Sequence, residues 1–254
     1  MVRLIANLKH QIRAILVLTW FDGLLPIRRS PFNIVNFIVS PLTILFFIYI
    51  FAGPGKVVFA LGGGLIAVIV GSCIILETDA AFIRIVARLE DMFVSSPLSP
   101  VAYVVGLSIA SLANGAAGVV LFSSLIVLET HMQIVSSLEI IFAALITWAS
   151  ISSLGFMIST FARDVRDLWV YSPLLTVLLS FLPPVFYPIT IIPENFRFVA
   201  YLAPTTYPAG IIQNAVGLLK FTSSSEALLY YGGAMIYTII LVSLAAKLSK
   251  WRQN

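Results

Sequence analysis

The sequence predicts an all-α integral membrane protein with six transmembrane helices. It also predicts an N-terminal amphipathic interface helix, a cytoplasmic helix between the second and third spans, and re-entrant outer helices between the fifth and sixth. Three observations carry that expectation. Hydrophobic residues make up 60% of the chain and charged residues only 10%, against roughly 25% charged in soluble domains, too few to coat a water-facing surface. Mean hydropathy is +1.04, and the apolar residues gather into runs long enough to cross a hydrocarbon core of about 30 Å. The cations collect on one side of those runs.

Taken in order, residues 2–20 come first. At 100° per residue Leu4, Ile5, Leu8, Ile12 and Ile15 share one arc, with Arg3, Asn7, Lys9, His10 and Arg13 opposite. Such a helix lies in the inner interface, as an anchor or as a lever joining a cytoplasmic partner to the first span. Pro26 and Pro31 then turn the chain into the membrane. These first 32 residues lack the short apolar stretch and cleavage site of a secretory signal, so the first span is expected to remain in the mature protein.

The apolar runs fall at 33–52, 57–76, 101–128, 138–161, 168–187 and 226–246. With the N-terminus inside, twelve Lys and Arg lie on the cytoplasmic side and only Lys56, Arg197 and Lys220 outside, placing both termini in the cytoplasm. A single domain over 1–254 is expected: the amphipathic segment 1–32, the six-span core 33–246 and the tail 247–254. Gly62, Gly63 and Gly64 loosen the second span and permit a bend. Asn114, with Gly115 and Gly118 in SLANGAAG, reads as close helix packing rather than ligand contact.

Two connections stand out. The 24 residues at 77–100, ETDAAFIRIVARLEDMFVSSPLSP, place Phe82, Ile85, Val86, Leu89, Met92 and Phe93 on one face, with Arg84, Arg88, Glu90 and Asp91 off it. That pattern predicts a helix over 79–94, stopped by Ser95, Ser96 and Pro97, and it is long for a plain connection. Outside, residues 188–225 are too apolar for a solvated loop and too proline-rich for a span, which suggests short helices dipping into the outer leaflet.

Several function classes are excluded. The six runs contain almost no titratable group, which removes a proton relay or voltage sensor; sodium coupling through backbone carbonyls stays open. The single Cys73 has no intrachain partner, so neither a disulfide framework nor a thiolate metal site is expected. Glu129 and His131 are too few to ligate a metal, and no cluster suggests a membrane enzyme. The net charge of +4 fits loops beside an anionic leaflet rather than nucleic acid. No G-x-x-x-x-G-K-[ST] occurs: Lys56 follows Gly55, but position 50 is Ile and 57 is Val.

SSPLSPVAYVVG after an amphipathic segment, FARDVRD closing the fourth run and FLPPVFYPITIIPENFRFVAYLAPTTYP after the fifth resemble the permease subunits of type-2 ATP-binding-cassette exporters. The similarity extends from RRSP before the first run through the last helix. The Pro183–Pro184 pair departs from the small Ser or Gly that many relatives carry there. The resemblance implies a permease that is not an enzyme by itself, with ATP and Mg held by a separate nucleotide-binding subunit and no cofactor on this chain. It implies two permease copies, a homodimer or a heterodimer, with two ATPase subunits among membrane lipids, in the plasma membrane of a prokaryote. The segment Arg84, Arg88, Leu89, Glu90 and Asp91 would dock on the ATPase, and Pro97, Arg163 and Asp164 belong to the cytoplasmic motifs. Alternating access between the copies would export an amphipathic, lipid-like, drug-like or polysaccharide substrate. An ATP-independent carrier or channel is the alternative.

Overall fold

The computed structural model describes residues 2–30, 32–89, 92, 98–130 and 133–248. It is 85% helix, with no strand among the described residues. Helix α1 (Val2–Leu18) passes through a π-helical turn, Thr19–Leu24, into α2 (Leu25–Arg29). Then come α3 (Phe32–Ala52), α4 (Val57–Ile85), α5 (Pro100–Thr130), α6 (Ile134–Phe161) and α7 (Val165–Ser180). The segment after α7 holds the short α8 (Arg197–Tyr201) and α9 (Thr206–Ala215), followed by α10 (Ser224–Leu248).

Among the described residues, four helices are long and apolar enough to cross a membrane: α4, α5, α6 and α10. Helices α3 and α7 occupy the other two predicted runs. Helix α3 is apolar over Ile38–Ala52. Helix α7 has 16 residues, which at 1.5 Å each is about 24 Å, less than a hydrocarbon core. It stops there because the Pro183–Pro184 pair supplies no amide to continue the ladder, and the chain turns instead, with Val185 N donating to Pro183 O at 2.7 Å.

Helix α4 is the central element. It packs on α3, α5, α6, α7 and α9, and 83% of its most apolar stretch is buried, against 28%, 28% and 22% in α5, α6 and α10. Lipid is as apolar as leucine, so close packing rather than exclusion of water holds such helices together. The glycines make the approach close enough. A Cβ at Gly64 would lie 2.2 Å from the Phe122 ring, and one at Gly115 would lie 2.7 Å from Ser72. The expected close approach at Gly115 and Gly118 is therefore present, whereas α4 runs unbroken through the triple glycine, where Gly63 and Gly64 make room for aromatic rings and Gly62 for Ile212.

The connection after the second run differs from expectation. Rather than ending near residue 76, α4 continues to Ile85, because Glu77, Ala80 and Ala81 are buried against neighbouring helices. The helix then ends in a turn, with Arg88 at φ 51°, a left-handed conformation that interrupts an α-helix. A single helix over 79–94 is thus corrected: residues 79–85, nearly half of it, are the end of α4, and the break falls at 86–89. Residues 90, 91 and 93–97 lie outside the described residues, and Met92 is exposed.

At the N-terminus α1 forms as one helix. Ala14, Ile15 and Leu18 pack beside Leu76, Tyr103 and Leu107, while Ile12, expected on the apolar face, is half exposed. The π-helical turn lies flush on α5, where a Cβ at Gly23 would come within 2.9 Å of the Ala110 backbone. The 188–225 segment folds back on the protein. Helix α9 is buried against α4, α6 and α10; Thr205 Oγ1 donates to Leu179 O at 2.6 Å and Gln213 Nε2 to Pro184 O at 2.9 Å.

Candidate coupling face and membrane cavity

Arg84 sits in the last turn of α4. Its guanidinium donates to Ser159 O at 2.5 Å and Ala162 O at 2.9 Å, across the C-terminal end of α6. A helix C-terminus presents unpaired carbonyls and a partial negative charge, so a cation there both fills acceptors and meets the dipole. The next residues, Arg163 and Asp164, form the turn into α7, where the Asp164 carboxylate accepts from Arg166 N at 2.9 Å as the N-cap.

The fold therefore brings Arg84 to the Arg163–Asp164 turn, and both of those turn residues are exposed. Arg88 is exposed just beyond the end of α4 and Leu89 is half buried, its amide donating to Ile83 O at 3.0 Å. Glu90, Asp91 and Pro97 lie outside the described residues. Of the predicted apolar face, Ile85 packs with Ala81, Val165 and Leu168, while Phe82, Val86 and Met92 are exposed.

Near the same end, Asp79 of α4 lies within electrostatic reach of Asp22 in the π-helical turn. Burial holds the Asp22 carboxyl above its ordinary value of 3.8.

A cavity of about 390 Å³ opens between α3, α4 and α7. Helix α7 contributes Ser172, Thr176 and Ser180, a row at four-residue spacing that lies on one helix face. Pro41 of α3 and Pro173 of α7 also line it, each removing a backbone donor from its helix. The Ser180 hydroxyl is fully buried with no hydrogen-bond partner among the described residues. Behind the inner wall, Glu77 of α4 is completely buried. Its Oε1 accepts from Ser172 Oγ at 2.5 Å, while its Oε2 has no partner among the described residues. Sequence reading missed Glu77 because it took the span to end at the first charge, one residue earlier.

Apolar helices packed about a buried central one, a hydroxyl-lined cavity within them and a compact turn tied to that central helix define a multi-pass membrane permease domain. The sequence matches the family model for the ABC-2 type transporter over residues 13–216, well over half of the chain, and the protein belongs to that family. It is thus the permease component of an ABC transporter. No curated protein matches the sequence.

Proposed function

We propose that this permease exports an amphipathic substrate, driven by ATP bound with Mg on two separate nucleotide-binding subunits. Two copies of the chain form the pathway by alternating access, with α4 and α7 lining it. Each copy crosses the membrane six times, α3 and α7 included, with both termini in the cytoplasm of a prokaryotic cell and the 188–225 segment dipping into the outer leaflet. The ATPase docks on the stretch from Arg84 to Asp91, beside the Arg163–Asp164 turn and α1.

The observation that supports this reading best is the double hydrogen bond from Arg84 to Ser159 and Ala162. It ties the end of the central helix to the turn leading into α7, so a push on that face reaches both pathway helices. The test is co-purification of the cognate ATPase with Leu89→Asp membranes beside a transport assay. A charge on this half-buried side chain costs several kcal/mol if it is buried at the contact, so association and transport should both fall while insertion is unchanged. Wild-type association together with wild-type transport would remove the segment from the coupling role.

A further inference from the structure

The cavity between α3, α4 and α7 combines two features that an apolar pathway does not need. Its α7 wall carries three hydroxyls at four-residue spacing, the outermost of which, on Ser180, is fully buried and unpartnered among the described residues. At its inner end Ser172 links the wall to Glu77, whose carboxyl is wholly buried with Oε2 likewise unpartnered. The Ser172 hydroxyl also lies 2.7 Å from Leu168 O and 3.3 Å from Thr78 Oγ1, so its single proton is not dedicated to the carboxyl. Among the described residues no cation pairs with the carboxyl: the ion pair there joins Glu194 and Arg197, and Arg84 is committed to the end of α6.

A buried carboxylate without a counter-charge is costly, and a cation brought beside it recovers much of that cost. The geometry points to this cavity as a binding site for an amphipathic organic cation, its apolar body against Ile74, Ile75 and Phe181 and its charge toward the Ser172 end. The inference rests on the reading of α4 and α7 as pathway helices and gives that pathway a substrate class. Because Glu77 stands one hydrogen bond behind the wall, it acts through its field in a medium of low dielectric, where charges interact far more strongly than in water. The polar row on α7 supplies hydrogen-bonding groups along the path from the inner to the outer end.

The experiment measures equilibrium binding of two probes to the purified full chain in nanodiscs of zwitterionic lipid. One is tetraphenylphosphonium, a permanent cation, and the other is triphenylphosphine oxide, a neutral molecule with similar rings. The cation should bind more tightly. Glu77→Gln should weaken the cation by about tenfold, the scale of one desolvated charge pair, and leave the neutral probe unchanged. Glu77→Asp should keep most of the preference. Thr176→Phe, which fills the cavity away from the carboxyl, should remove binding of both probes.

Equal cation affinity in wild type and a folded Glu77→Gln overturns the proposal, and so does unchanged binding in Thr176→Phe. If Glu77→Gln does not fold, the Asp and Phe variants decide, and loss of the cation preference in a folded Glu77→Asp counts against the carboxyl. Binding requires no ATPase, so a failure of the permease reading appears separately, as missing ATPase association beside intact probe discrimination.

Discussion

Arg84 illustrates how far one side chain reaches. Its two hydrogen bonds to α6 carbonyls are charge-assisted, and such bonds contribute about 1.5–3 kcal/mol. Arg84→Ala should lower thermal stability in detergent by an amount in that range, and Arg84→Lys should recover part of it, because an ammonium keeps the charge but not the fork. Differential scanning fluorimetry checks both, and an unchanged midpoint in Arg84→Ala would contradict the contact. Asp22 makes an opposite contribution. Its raised value means that the folded state favours the protonated acid, so its stabilising share is complete below about 3.8 and is lost as pH rises through the raised value. Asp22→Asn should therefore stabilise the protein at neutral pH and flatten its stability profile across the acid range, as read by unfolding midpoints against pH. Neither residue was legible in the sequence at this level. Helical periodicity placed Arg84 off the apolar face, but it carries no information about carbonyls 75 residues away.

Among the elements, α4 depends most on fit. A methyl group at Gly64 would collide with the Phe122 ring at 2.2 Å, whereas at Gly71 the nearest neighbour is 3.9 Å away. Gly64→Ala should cost about 1–3 kcal/mol by overpacking, and Gly71→Ala should be nearly silent. Size-exclusion profiles after stepped heating distinguish the two, and equal tolerance would refute this packing. Gly115 and Gly118 were readable as contact points because small residues three apart in an apolar helix admit a neighbour closely. The fate of Gly62, Gly63 and Gly64 was not readable, since glycine both loosens a helix and makes room for a neighbour, and only Ile212, Phe186 and Phe122 decide which. The end of α4 was misjudged for a related reason. Hydropathy falls at Glu77, but the helix persists because Ser172 and the wall of α6 receive the next two turns.

For the whole molecule, the segregation of cations expects Asn254 inside and residues 188–225 unable to cross. Single cysteines introduced into a Cys73→Ala background should be labelled by an impermeant reagent at position 220 but not at 254 in intact cells; labelling at 254 would overturn the topology. Membrane class and helical content were legible from composition because only closed backbone hydrogen bonding survives in lipid. The cavity was not, since its walls come from three separate runs, and the burial of Ser180 in its wall and of Glu77 behind it exists only when those runs meet. The burial of α4 also bears on how the protein is made. Of the helices that enclose it only α3 precedes it in the chain, so a growing polypeptide holds α4 ready while α5, α6 and α7 are still being synthesised. A ribosome that stalls before Ser172 leaves Glu77 without that hydroxyl. Such half-made chains keep a buried polar group unsatisfied until α7 arrives.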